Sequence, residues 1–299
     1  MKTPAPLQKG DIVALASPAR FIEEEILKIA EKVFNQYGLQ LRMDADLLAR
    51  HHQFAGNDQH RAAHFQRLLN DDTVKAIVCS RGGYGSLRLI DQLDFSHFSR
   101  HPKWIAGYSD ITVFHAHLQQ VLGIKSLHST MPVNFENNSI DSITSLMDCL
   151  SGNKPSYAVD PHPMNIAGIA SGELIGGNLS ILYSLVGSQS FPDMRGKILF
   201  IEDVDEYLYH LDRMLVSLKR AGVFRQLAGL VVGGLTQMND NTVPFGNTAE
   251  SIVLEHVAEY RFPVCMGFPA GHLNDNRCLI MGGAVRLEIN QTQSTLSML

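Results

Sequence analysis

The feature that most constrains the fold is a series of short apolar runs, each followed by a segment with helical periodicity. The runs cover residues 11–16, 76–79 and 104–106, and the helical segments cover 23–37, 57–69, 86–93 and 110–122. Short apolar runs bounded by Gly and Ser are typical of buried strands, and helices between them act as crossovers. We therefore predict that residues 1–150 form an α/β domain with a doubly wound parallel sheet.

The second half of the chain has a different organisation. Residues 151–170 are rich in turn-forming residues and lack periodicity, so they are predicted to be a linker. Beyond them, strands are predicted at 197–201, 230–235, 264–268 and 284–289, and helices at 179–186, 207–221 and 248–260. Residues 171–299 should therefore form a smaller, mixed α/β domain. A chain of 299 residues with 45% apolar residues can supply a core to both domains.

Composition argues against several classes of partner. The formal net charge is −5, which gives no reason to expect nucleic acid as a ligand. No apolar run approaches the roughly 20 residues of a membrane span, and the N-terminus has no apolar core of a secretory signal. Four widely spaced cysteines form no C-x-x-C pair and are interpreted as reduced. We expect a cytoplasmic protein without a membrane or nucleic-acid partner.

Ser109 lies where the strand 104–106 meets the helix 110–122. A serine at a sharp strand-to-helix turn projects its hydroxyl out of the sheet, and the following backbone N–H groups can face a developing negative charge. This is the geometry of a nucleophile elbow, although the second Gly of G-x-S-x-G is missing. The alternative is a serine that merely caps the helix.

A serine nucleophile needs a base and a group that orients the base. Glu202 ends the predicted strand 197–201, where a carboxylate can fix an imidazole tautomer. The alternative for Glu202 is that it is an acid at a helix N-terminus, and for Asp203 this is the interpretation that we adopt. His272 lies in a polar loop after an apolar strand, where functional residues are frequent, and its alternative is an ordinary histidine of a surface loop. The polar segments that carry His60 and His64 predict solvated histidines.

A glycine-rich loop follows the strand 76–79 and includes Arg81, Gly82 and Gly83. Its backbone N–H groups can bind an anion or an oxyanion, but neither a P-loop nor G-x-G-x-x-G is present. Residues 202–210 contain four acids and a histidine, yet no H-E-x-x-H motif or cysteine pair. We therefore expect no metal and no cofactor.

Six short motifs occur in a fixed order: FAGND (54–58), SRGGYG (80–85), GYSDIT (107–112), GGNL (176–179), FIED (200–203) and GH (271–272). In this order the chain resembles the LD-carboxypeptidases, the muramoyltetrapeptide carboxypeptidases, whose relatives include the microcin C immunity peptidases. The resemblance runs from the first strand to about residue 283. It implies an N-terminal domain similar to class I glutamine amidotransferases and a smaller C-terminal domain.

The resemblance also implies roles for individual residues. Ser109 would be the nucleophile, His272 the general base and acid, and Glu202 the residue that orients His272. Because Ser109 lies on one domain and the other two on the second, the site would span a domain interface. Backbone N–H groups would hold the oxyanion, from Asp110 together with Gly82 or Gly83.

The implied activity is hydrolysis of the amide between the L-centre of the third residue and the terminal D-Ala of a murein tetrapeptide, in peptidoglycan recycling. Arg81 is a candidate to bind the terminal carboxylate, with a structural salt bridge as its alternative. Two other functions stay open: a peptidase acting on peptidyl- or aminoacyl-nucleotides, as in the immunity relatives, and a non-catalytic two-lobed anion-binding protein. We expect a homodimer.

Overall fold

The computed structural model describes all 299 residues, which form two β-sheets flanked by helices. In chain order the strands are β1 Ile12–Ala16, β2 Gln40–Arg42, β3 Val74–Cys79, β4 Trp104–Gly107, β5 Ser126–His128, β6 Ser156–Val159, β7 Gly168–Asn178, β8 Ile198–Val204, β9 Gly229–Thr236, β10 Val264–Cys265, β11 Leu279–Met281, β12 Ala284–Ile289 and β13 Ser294–Met298. The helices are α1 Glu24–Gln36, α2 Asp58–Asn70, α3 Ser96–Arg100, α4 Thr112–His117, α5 Ile140–Leu150, α6 Leu179–Ser184, α7 Leu208–Arg220 and α8 Ala249–Val257. None of these helices has the length and apolar character needed to cross a membrane.

The first sheet has the strand order β11-β5-β4-β3-β1-β2. Strands β1 to β5 are parallel to their neighbours, and β11 pairs antiparallel with β5. Successive residues of β3 alternate between two hydrophobic clusters, with Val78 facing α1 and α5 and Ile77 facing α2 and α4. Helices thus cover both faces, and the predicted doubly wound α/β sheet is confirmed.

The second sheet has the order β10-β9-β8-β7-β12-β13-β6. Strands β7 to β10 are parallel, whereas β12, β13 and β6 are added antiparallel. Helices α6, α7 and α8 cover one face with the largest apolar cluster, and β11 packs with the opposite face. The mixed α/β character predicted for this half is therefore observed.

Local differences from the predicted elements have physical causes. The segment 151–170 contains β6 and the start of β7, because its alternating residues pair with β13 and β12. The predicted helix 86–93 consists of two 3₁₀ turns, Ser86–Arg88 and Ile90–Gln92. His64 was predicted to be solvated, which is wrong: it is buried on the inner face of α2.

The two sheets are joined by direct polar contacts. Thr112 Oγ1 on α4 accepts a hydrogen bond from the N–H of Asn178 at 2.9 Å, where β7 ends. Gln119 Nε2 donates to the carbonyl oxygen of Leu174 on β7 at 2.9 Å. Strand β11 comes from the C-terminal part of the chain and yet extends the first sheet. The carboxyl ends of β4 and β8 are thereby held against each other.

Candidate active site

Ser109 follows β4 with an unusual backbone conformation. Its φ is +63°, in the left-handed region that a non-glycine residue rarely adopts. The 3₁₀ turn Ser109–Ile111 begins at this residue and leads into α4, which begins at Thr112. The side chain is partly exposed while its neighbours Tyr108 and Asp110 are buried. Strain of this kind persists only where the surrounding fold enforces it, and it clusters at active sites.

The glycine loop after β3 packs directly on Ser109. A Cβ atom at Gly82 would lie 3.2 Å from Ser109 Cβ and 3.3 Å from its Oγ, so only a glycine leaves this space open. The N–H groups of Gly82, Gly83 and Asp110 take no part in the backbone hydrogen bonds of the turns and loops. The end of the glycine loop is held in place, because the buried Asp110 Oδ2 accepts a hydrogen bond from the N–H of Ser86 at 2.8 Å. The same Cβ position at Gly82 lies 3.4 Å from the backbone N of Asp110, so the glycine loop and the Asp110 amide lie beside the hydroxyl.

Glu202 lies inside β8 and is completely buried. The pairing of β8 with β9 shifts register between Ile201 and Asp203, so Glu202 occupies a bulge. A bulge re-aims a side chain, and here it puts two successive carboxylates in the interior. Asp203 was predicted to be an acid at the N-terminus of the following helix, but it lies in β8, and its Oδ2 accepts from the N–H of Ser180 in the first turn of α6 at 2.9 Å. Asp203 is buried and accepts from Asn178 Nδ2 at 2.9 Å, and burial together with the negative charge of Glu202 raises its pKa to about 7.

His272 forms a hydrogen bond with Glu202. Its Nδ1 lies 2.6 Å from Glu202 Oε2, and its backbone N–H donates to the same oxygen at 3.2 Å. A carboxylate can only accept, so the proton of the pair resides on Nδ1 and Nε2 is left available. Burial acts to lower the pKa of His272, but the charge and hydrogen bond of Glu202 outweigh it and the pKa is raised above its usual value.

The loop that carries His272 is held at both ends. Gly271 has φ +105°, and a Cβ there would come within 2.6 Å of Glu202 Cβ, so the close approach of loop and carboxylate requires glycine. Its N–H donates to Oδ1 of buried Asn276 at 2.8 Å, and the N–H of Asn276 donates to Ser142 Oγ on α5 at 2.7 Å. Asn276 was not identified from the sequence, although it lies in the polar loop that singled out His272.

Aromatic rings bring the two halves of the site together. The Tyr108 ring, one residue before Ser109, packs on the His272 ring with centroids 4.8 Å apart. On the other side, His128 of β5 contacts Phe200 of β8 edge-on at 4.8 Å. Ser109 therefore directly follows Tyr108, whose ring contacts His272. Ser109, Glu202 and His272 thus lie at the interface of the two sheets.

Arg81 lies at the start of the glycine loop and is partly buried. Its Nη1 donates to the carbonyl oxygen of Phe21 at 3.2 Å, and it forms no ion pair with any carboxylate of the chain. Burial, with the nearby charge of Arg20, lowers its pKa from the ordinary value. The salt bridge considered as its alternative role is absent, so its guanidinium retains donors for a ligand.

The other polar candidates have structural partners. His115 lies on α4 with Nδ1 2.8 Å from Ser126 Oγ and Nε2 2.9 Å from the carbonyl oxygen of Gly107. His117 pairs with Ser190 at 2.9 Å. In the acidic segment after β8, Glu206 forms an ion pair with His210 at 2.5 Å.

A strained serine with a glycine loop beside it and an oriented histidine lie at the interface of the two sheets, an arrangement suited to a hydrolase. Comparison with known proteins agrees: the LD-carboxypeptidase N-terminal domain matches residues 11–129 and the LD-carboxypeptidase C-terminal domain matches 171–287. The chain belongs to the LD-carboxypeptidase family. It is accordingly a peptide-hydrolysing enzyme, and a serine-type mechanism fits this family.

Individual relatives cover nearly the whole chain. A probable murein peptide carboxypeptidase of Bacillus subtilis is 33% identical over 288 residues, covering 93% of this chain and 89% of that protein. The crystal structure of muramoyltetrapeptide carboxypeptidase from Oxalobacter formigenes has a TM-score of 0.88 at 27% identity, covering 96% and 98% of the two chains. A structure of MccF with glutamyl sulfamoyl guanosine has a TM-score of 0.88 at 20% identity, covering 99% and 98%. This last likeness concerns the fold alone.

Proposed function

We propose that the enzyme releases the terminal D-Ala from murein tetrapeptides by hydrolysing the amide that follows the L-centre of the third residue. The observation that carries this proposal is the Glu202–His272 hydrogen bond. The His272 ring packs against the ring of Tyr108, and the strained Ser109 follows Tyr108 directly in the chain. The substrate class comes from the named activities of the Bacillus and Oxalobacter relatives. A cytoplasmic homodimer acting in peptidoglycan recycling is the setting that we propose.

In this mechanism Ser109 Oγ attacks the carbonyl carbon of the third residue while His272 Nε2 accepts its proton. Glu202 keeps Nδ1 protonated and stabilises the imidazolium as it forms. The N–H of Asp110 and that of Gly82 or Gly83 donate hydrogen bonds that stabilise the negative charge developing on the carbonyl oxygen. His272 then protonates the leaving D-Ala nitrogen, and water attacks the acyl-enzyme to regenerate Ser109.

The closing experiment for this function compares two peptides that differ in one stereocentre. We expect D-Ala release from a tetrapeptide with an L-to-D terminal amide and none from a matched peptide with a D-to-D amide. Chromatography of the products measures the release. Equal turnover of both would contradict the proposal. A third arm with glutamyl sulfamoyl adenosine tests the nucleotide-peptide alternative, and full activity in EDTA is expected because no step uses a metal.

The rate should fall on the acidic side of neutrality. The neutral imidazole of His272 is the base, and its pKa is raised by Glu202 despite burial. Protonation therefore removes the base as the pH falls through a value above the ordinary 6.5 of histidine. A profile of kcat/KM against pH should show an acidic limb with its apparent pKa above 6.5. A limb well below that value would mean that Glu202 does not act on the catalytic base.

Replacement of Arg81 tests recognition of the terminal carboxylate. Arg81→Ala should raise KM about 10- to 100-fold with a small change in kcat, because a hydrogen bond to a charged group contributes about 1.5–3 kcal/mol. Arg81→Lys should recover only part of the loss, since the bidentate contact requires a guanidinium. Arg88→Ala is the matched control, because Arg88 already pairs with Asp58. An unchanged KM in Arg81→Ala would remove Arg81 from the binding site.

A further inference from the structure

A second group of ionisable side chains lies between the end of β2 and the start of α2. Asp44 and Asp46 come from the 3₁₀ turn Ala45–Leu48 and the residue that precedes it. His60 and His64 lie one turn apart on α2, on the face that meets this turn. None of these residues belongs to the site described above, and the sequence predicted no metal.

The two histidines are aimed at the two carboxylates. His64 Nε2 lies 3.4 Å from Asp44 Oδ2, and His60 Nε2 lies 3.3 Å from Asp46 Oδ1. Both Nε2 atoms are buried and have no hydrogen-bond partner, and the His64 side chain is only 5% exposed. Ligand atoms of Asp44, Asp46 and His64 all lie within 4.8 Å of one another. An unpartnered, buried imidazole nitrogen thus faces two carboxylates.

The separations differ from those of ordinary His–Asp hydrogen bonds in this protein. His256 and His97 lie 2.7 and 2.8 Å from their aspartates, as expected for a direct bond. For a tetrahedral ion with bonds of about 2.0–2.1 Å, two ligand atoms are about 3.3–3.4 Å apart. Two histidines at positions i and i+4 present their rings on the same helix face, the spacing used by zinc-binding helices.

We propose that Asp44, Asp46 and His64 bind a divalent transition metal ion such as Zn²⁺. His60 lies outside this close group, with its Nε2 3.3 Å from Asp46 Oδ1. The ion ties the turn after β2 to the first two turns of α2 and has a structural role. Imidazole and carboxylate are suitable ligands for this class of metal.

Two arginines surround the carboxylates. Arg42 donates to Asp44 Oδ1 at 3.0 Å and to Asp44 Oδ2 at 3.2 Å, and Arg67 donates to Asp46 Oδ2 at 2.5 Å. Such hydrogen bonds orient ligating carboxylates, and they leave Asp46 Oδ1 facing His60. The two positive charges also oppose a cation, so we expect weaker binding than at a site built from four anionic ligands.

The test is a titration of the chelator-treated, full-length protein with ZnCl₂ and with CoCl₂. We expect one Zn²⁺ per chain by calorimetry, a saturable rise in Tm, and the visible absorption of tetrahedral Co²⁺. His64→Gln and Asp46→Asn should each abolish the Co²⁺ spectrum and the rise in Tm. Asp46 is a quarter exposed, so its variant tests the site even where His64→Gln is unstable.

His97→Gln is the matched control, because it removes an exposed His–Asp pair elsewhere. It should bind the metal as the unmodified protein does. Activity at a temperature far below Tm should be unchanged in Asp46→Asn, since no ligand of the proposed ion belongs to the catalytic set. Absence of saturable binding, or binding undiminished in Asp46→Asn and His64→Gln, would overturn the proposal and leave an ion-pair cluster.

Discussion

Ser109→Ala should lower kcat/KM for D-Ala release by about 10⁴-fold or more, because a serine peptidase without its nucleophile retains only binding and oxyanion stabilisation. The change removes one oxygen atom from a partly exposed side chain, so the free energy of unfolding should change little. The backbone strain at φ +63° remains, since alanine has the same Cβ as serine. The measurement is release of D-Ala under kcat/KM conditions, with Tm recorded alongside.

Ser151→Ala is the matched control for this experiment. Ser151 is an exposed serine at the end of α5, so the same chemical change there should leave the rate unaltered. A Ser109→Ala enzyme that forms no acyl-enzyme but still binds the tetrapeptide would fit the mechanism. Turnover at the native rate would show that another group attacks the amide, and the nucleophile assignment would be wrong.

Glu202→Gln should lower kcat/KM by about 10³–10⁴-fold, although the side chain keeps nearly the same size and shape. The amide of glutamine can donate to His272 Nδ1, which favours the tautomer with the proton on Nε2 and removes the acceptor that Ser109 needs. In this variant burial still lowers the pKa of His272, and the negative charge of Glu202 no longer opposes it. The residual activity should therefore have its acidic limb at a lower pH than in the unmodified enzyme, because the pKa of His272 is no longer raised.

Glu206→Gln separates this effect from general damage. Glu206 also pairs with a histidine, His210, but outside the interface of the two sheets. The rate and the pH profile should both be retained in that variant. If Glu202→Gln lost activity while its acidic limb stayed in place, Glu202 would contribute to packing or substrate contact and not to the orientation and charge of His272.

Much of the first sheet follows from the sequence because its central parallel strands β1, β3 and β4 are buried on both faces. Such strands appear as continuous apolar runs, as at residues 76–79, and the residues at their carboxyl ends share one edge of the sheet. The positions of Ser109 and of the glycine loop could be predicted on that basis. His272 and Glu202 could be placed at the ends of strands, but their mutual hydrogen bond required the family resemblance.

Other features depend on long-range contacts that no local pattern reveals. Strand β11 has three residues, and its partner β5 precedes it by about 150 positions in the chain. The polar face of α2 suggested solvent exposure, yet Arg61 and His64 are buried. Arg61 Nη1 donates to the carbonyl oxygen of Pro18, and His64 faces Asp44 of the turn after β2. The bulge that turns Glu202 inward arises from the pairing of β8 with β9. The register of this pairing cannot be predicted from the sequence of either strand alone.

The pairing of β11 with β5 has a consequence for dissecting the protein. A fragment ending near residue 150 would present β5 as an uncovered edge, with its N–H and C=O groups free to recruit other chains. The reciprocal fragment would lose the anchor for the segment that follows His272. Separately produced halves should therefore aggregate alone and recover soluble, active enzyme only when refolded together, so that neither half is an autonomous folding unit.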